Sequence, residues 1–142
     1  IFNFLLYISF FNFISNFFIR TDNIYIKFNI ISRFKKFLYK TRSLGMDALI
    51  EVHDQDDMKI ALNTPAEFIG INNRNLKTFT TTIENTIELL PYADMNRTLI
   101  SESGVFTIED VDKLKNVGCD GILVGEGLVR AEDIAKQTRN FV

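Results

Sequence analysis

The stretch Phe68-Ile-Gly-Ile-Asn-Asn-Arg-Asn75 decides the fold. A short apolar run stops abruptly in four polar residues. The pattern recurs downstream, where Thr98-Leu-Ile runs into Ser101-Glu-Ser-Gly104, and again in Gly121-Ile-Leu-Val-Gly-Glu-Gly127. Upstream, Leu49-Ile-Glu-Val-His53 has the same form. Each reads as a strand covered on both faces that ends in polar or glycine residues. Strand ends of this kind, separated by helical patterns, are how a parallel α/β barrel presents its chemistry.

The segments between them read as helices. Asp54 can cap a helix running to about Asn63, with Met58, Ala61 and Leu62 on one face. Ile83, Ile87 and Leu90 form a stripe that Pro91 terminates. Thr107-Ile-Glu-Asp110 has the form of a capping box ahead of Val111 and Leu114. Ala131–Phe141 is the last helix expected. Upstream, from about Ser32, Phe34, Phe37, Leu38 and Thr41 share a helix face, leaving Lys35, Lys36 and Lys40 to solvent. The expected strands are Ala48–Val52, Glu67–Ile71, Thr98–Ser101 and Gly121–Val124. Strand–helix alternation with short connections implies a parallel sheet with right-handed crossovers. Periodicity does not separate an open doubly wound sheet from a piece of a barrel.

The 142 residues suffice for one core but fall short of the roughly 200 to 250 of a complete eight-unit barrel. The net charge of −2 gives no global case for nucleic acid. It conceals two unlike parts. Residues 1–43 hold seven Lys/Arg against one Asp, a net of +6, which leaves −8 for residues 44–142. One Cys and one His exclude both an internal disulfide and a zinc cluster. Cys119 reads as a small buried thiol in a reducing, cytosolic compartment.

Ile1 to Ile19 carry no charge and are dominated by Phe, Ile and Leu. The length would allow a membrane span followed by basic residues, but Asn3, Ser9, Asn12, Ser15 and Asn16 interrupt it. A membrane role is therefore not the leading expectation. Residues 1–43 read first as an atypical Phe/Ile/Asn-rich segment of the kind produced by translating non-coding or frame-shifted A/T-rich sequence, ending in a helix. An anchor and a divergent structural segment are the alternatives. The chain does not begin with Met, and it is expected to be a fragment.

Several residues at the strand ends could carry chemistry. Glu51 lies inside an apolar strand, where burying its charge costs several kcal/mol unless it is paired. It is either a functional carboxylate or a structural one paired with a lysine. Asn72 can orient a hydroxyl or carboxylate, and Arg74 can grip an anion with two parallel bonds. The bland alternative makes this run of Asn residues turn formers. Glu102 is a second strand-end carboxylate, or else a solvated loop residue. Gly104 lets a backbone N–H approach a phosphate. Gly125-Glu126-Gly127 stands where barrels bind phosphate through backbone amides.

Together, from about Phe37 to the C-terminus, these motifs resemble the second half of indole-3-glycerol-phosphate synthase. The resemblance implies the last four βα units of a (β/α)₈ TIM barrel over residues 44–142. It implies closure of a carboxyphenylamino deoxyribulose phosphate with loss of CO₂ and water, in the cytoplasm, without metal or organic cofactor. It makes Glu51 the general base, and Glu102 and Ser103 an active-site pair. Asn72, with Arg74, would bind substrate, and Gly104, Gly125, Glu126 and Gly127 would hold its phosphate. Related synthases often have Ser where this chain has Gly127. The resemblance gives a histidine no chemical part at position 53, so His53 reads as a loop or packing residue. The family's catalytic lysines lie on its first and third strands, which these motifs do not include. A non-catalytic phosphate-binding half-barrel and a membrane-anchored interaction protein are the competing readings. Four barrel units alone would leave two open strand edges and invite self-association, unless residues 1–43 cover an edge.

Overall fold

Short, mostly apolar runs of three to six residues, punctuated by helices, set the architecture. The computed structural model describes residues 5–8, 24–75 and 78–141. Five parallel strands form one sheet in sequence order: β1 (Leu5–Ile8), β2 (Asp47–Val52), β3 (Phe68–Asn72), β4 (Thr98–Glu102) and β5 (Gly121–Leu123). Helices join them: α1 (Ile24–Ser43), α2 (Gln55–Leu62), α3 (Glu84–Leu89), α4 (Ile108–Asn116), α5 (Glu126–Val129) and α6 (Ile134–Asn140). The four strands expected from sequence are present and adjacent. Two elements are additional. β1 pairs with β2, Leu5 opposite Asp47 and Ile8 opposite Ile50, and α5 fills the turn after β5. The rest of the apolar run Ile1–Ile19 lies outside the described residues. Among those described, no helix is long and apolar enough to cross a membrane.

The caps act as the sequence predicts. The Asp54 carboxylate accepts from the N–H groups of Asp56 and Asp57, both at 2.9 Å. Thr107 and Asp110 complete a reciprocal capping box. Pro91 falls inside a 3₁₀ turn, Leu90–Tyr92, that closes α3. The last helix starts later than Ala131, because Asp133 caps it by accepting from Lys136 N.

Strand alternation divides the sheet into two faces. Ala48, Ile50, Val52, Ile69, Ile71 and Leu99 form the helix-side core with Met58 and Ala61 of α2 and Phe34 and Leu38 of α1. Phe37 corrects the sequence reading of α1: it is 51% exposed, whereas Phe34, Leu38 and Thr41 are buried. The stripe that meets β2 is narrower than the full i, i+3, i+4, i+7 face, and position i+3 falls off it. The opposite face carries Leu49, Glu51, Gly70, Asn72, Ile100 and Glu102. The registers Glu51↔Gly70↔Ile100 and Asn72↔Glu102 bring these residues side by side.

Candidate active site

Because all strands run parallel, Glu51, Asn72, Glu102 and Gly125 fall at one edge of the sheet, the C-terminal one. Glu51 is 2% exposed. A buried carboxylate demands partners, and this one has them. Its Oε1 accepts from Asn72 Nδ2 at 2.6 Å and lies 2.9 Å from His53 Nε2. These two contacts come from an amide and an imidazole, where the structural alternative had named a lysine. The Asn72 Oδ1 accepts from Arg74 N at 2.8 Å. One amide thus orients Glu51 with one end and shapes the turn to Arg74 with the other. Its turn-forming and polar-contact roles coexist.

Glu102 is also buried rather than solvated. Its carboxyl lies over Gly70: a Cβ added there would stand 1.7 Å from Glu102 Oε1. Gly70 pairs with Glu51, so the missing side chain lets the second carboxyl reach across β3 toward the first. Behind this pair, on the helix side, sits a closed polar network. Asn73 donates to Ser101 Oγ at 2.8 Å and to the Ser103 carbonyl at 2.9 Å. Thr86 of α3 donates to Asn73 Oδ1 from both its N–H and its hydroxyl. Each member satisfies another, as buried polar groups must. This network fixes where Ser103 emerges from β4.

Ser103 and Gly104 both have left-handed backbones, with φ of 66° and 76°. Glycine accepts this freely; serine does not. A Cβ at Gly104 would meet Thr81 Cγ2 at 2.8 Å, so the turn passes close to the β3–α3 loop. Gly125 precedes α5 with open space around it. Gly127 does not: a Cβ there would lie 2.6 Å from the Val105 carbonyl. Any side chain at position 127 would need that contact to open. Glu126 is engaged by cations on both sides, Arg74 at 3.3 Å and Arg130 at 2.8 Å.

A cleft of about 460 Å³ opens at this edge, lined by His53, Asn72, Arg74, Thr82, Asn85 and neighbours. Glu51 stands behind its wall. Asn85 ties the wall together by donating to the carbonyls of His53 and Asn72. His53 is the residue that sequence reasoning set aside. Position 53 lies one residue beyond the end of β2 and two beyond Glu51, a spacing that brings both side chains to one side. Burial by itself lowers the His53 pKa, but the nearby carboxylates of Asp57 and Glu51 outweigh it and push the value up to about 9. Of the two carboxylates, Glu51 is the closer; Asp57 Oδ2 stands 3.6 Å from Nδ1. Cys119 is half-buried and donates to backbone carbonyls, and burial raises its thiol pKa, which keeps it inert.

Residues 19–141 match the family model described as indole-3-glycerol phosphate synthase. Relatives bearing that name include one from Alkaliphilus metalliredigens, 47% identical over 69% of this chain and 38% of its own length. Another, from Roseiflexus sp. strain RS-1, is 49% identical over 71% of this chain and 38% of its own. The chain thus spans about 38% of the length of these curated relatives. Among solved structures, one described as native KDPGal aligns with a TM-score of 0.57 at 19% identity, over 75% of this chain and 52% of that one. A thiamine phosphate pyrophosphorylase from Pyrococcus furiosus gives 0.57 at 16%, over 72% and 50%. These likenesses show the fold: a parallel α/β sheet of the (β/α)₈ barrel kind, of which this chain makes up part.

Proposed function

The chain belongs to the indole-3-glycerol phosphate synthase family, and we propose that it supplies the C-terminal βα units of that enzyme's barrel. The reaction is closure of a carboxyphenylamino deoxyribulose phosphate to indole-3-glycerol phosphate, with loss of CO₂ and water, in the cytoplasm. Glu51 serves as general base. Asn72 and Arg74 hold the substrate, and Glu102 and Ser103 work beside them. The backbone at Gly104, Gly125, Glu126 and Gly127 receives the phosphate. The Glu126 carboxylate itself would repel a phosphate, so its part is the N–H, while Arg74 and Arg130 neutralise its side chain. One observation carries this reading: a buried carboxylate at a strand end, held by an amide at 2.6 Å, next to a glycine that admits a second carboxyl.

A second reading, a phosphate-binding half-barrel without turnover, is favoured by a different observation. The described strands contain no lysine, and the strand flanking β2 is Leu5-Leu-Tyr-Ile8. Assay with the carboxyphenylamino substrate separates the two. The chain alone is expected to show no useful turnover. Adding the N-terminal half of a related synthase in trans should restore it, and Glu51→Gln should then lower kcat on the order of 10²- to 10⁴-fold. Robust turnover by the chain alone would sink the second reading. Unchanged turnover in the complemented Glu51→Gln variant would remove Glu51 from the chemistry.

A further inference from the structure

His53 is the chain's one histidine, and it completes a row of three ionisable side chains. Asp57 on α2 sits at one ring nitrogen and Glu51 on β2 at the other, 3.6 and 2.9 Å away. The row is built in. Asp57 Oδ2 also accepts the backbone N–H of His53 at 3.1 Å, which ties it to the β2–α2 turn. Asn85 holds the His53 carbonyl from α3. Glu51 is fixed at its far side by Asn72. The imidazole is the one member that reaches both the buried carboxylate and the cleft.

We propose that His53 is a positioning residue of the site: a protonated imidazole, gripped by Asp57, that holds Glu51 as an oriented carboxylate facing Asn72. The proposal rests on reading Glu51 as the base and names what keeps that base ionised in a buried setting. A neutral hydrogen-bond donor orients Glu51 and offsets part of the cost of burying its charge; a cation at the same carboxylate offsets more of it. The wider surroundings favour the cation. Asp54, Glu84 and Glu88 line the same cleft, and Glu102 stands on β4 in register with Asn72. Besides His53, the opposing charge among the described residues lining the cleft is Arg74, which is drawn to Glu126.

A single histidine gives one set of ring signals, so isotope-labelled histidine in the full chain tests this by NMR without any turnover. The ring is expected to remain protonated at pH 7.5 and to titrate near 9. Glu51→Gln should bring its midpoint down by about 1 to 3 pH units. A ring that titrates near 6.5 in the parent chain, or that ignores Glu51→Gln, overturns the proposal. His53→Gln keeps a donor but removes the charge. Its Glu51 carboxyl resonance should titrate at higher pH than in the parent, a change that loss of packing alone would not produce; an unmoved midpoint also overturns it. If His53→Gln fails to fold, the parent and Glu51→Gln titrations decide. Should the ring couple to Glu51 while complemented Glu51→Gln keeps full activity, the ion pair stands and the assignment of Glu51 as base fails.

Discussion

At the scale of single residues, the site is a set of charges made tolerable by neighbours. Glu51 would be costly alone; Asn72 and His53 stabilise it, and Asp57 does the same for His53. This has a consequence for folding. The His53 pKa is higher folded, about 9, than its ordinary value of 6.5. The folded state then binds the proton more tightly, and its contribution is fully present below pH 6.5 and lost as pH rises through 9. Every tenfold gain in proton affinity corresponds to about 1.4 kcal/mol, so the upper bound is about 3 kcal/mol, reduced by the partial exposure of the ring. Urea denaturation is expected to show stability falling from pH 6.5 to 9, and His53→Gln should flatten that slope. Equal slopes in both proteins would mean that His53 does not titrate in this window. Gly70 makes a different kind of demand. Gly70→Ala would drive a methyl into the Glu102 carboxyl. The obstruction is the end of a flexible side chain, which can swing away, so little stability should be lost. Complemented activity should instead fall at least about tenfold, because one carboxyl leaves its place. A large stability loss with intact activity would contradict this placement.

At the scale of elements, the turn after β4 stores backbone strain that its glycine relieves. Gly104→Ala meets a left-handed backbone and a 2.8 Å contact with Thr81 at once. It should cost about 1 to 3 kcal/mol in chemical denaturation, with no rescue by shortening Thr81 to Ser alone, since the strained φ remains. Full rescue by Thr81→Ser would show that the contact, not the backbone, sets the cost. The elements differ in how openly the sequence declares them. β2, β3 and β4 were legible because a buried parallel strand writes itself as an unbroken apolar run. α2 and α4 were legible because Asp54 and Thr107 cap them with side chains. β1 was not, since Leu5-Leu-Tyr-Ile8 is no more apolar than the Phe-rich residues on either side of it. α5 is a single turn with no side-chain cap and no buried residue, too short for any period to register. The site was legible as types of residue at strand ends. Its pairings were not, because whether Glu51 meets a lysine, an amide or an imidazole depends on register between strands, and periodicity along one strand carries no register.

At the scale of the whole molecule, packing is uneven across the sheet, and that sets how the chain should behave in solution. The helix-side core is densest behind β2 and β3, where α1, α2 and the end of α3 converge. It thins toward β5, a strand of three residues whose Leu123 is 44% exposed. Neither α5 nor α6 buries a residue beside it. β1, from within residues 1–43, covers the edge of β2, the condition under which an open edge was expected to be lost; among the described residues the sheet ends at β1 on one side and β5 on the other. An edge strand presents unpaired N–H and C=O groups, and in a closed barrel β5 would pair onward with another strand. No described strand takes that place, and a second copy of the chain can supply the hydrogen bonds. Sedimentation velocity is expected to show a concentration-dependent shift beyond the monomer. Leu123→Lys, which places a charge on the edge strand, should reduce it, whereas Phe37→Lys, exposed on α1 at the other side, should not. The same edge is where a complementing barrel half must dock, so its addition should suppress self-association as it restores turnover. A parent chain that stays monomeric at every concentration, or association indifferent to Leu123→Lys, would move the cause away from β5.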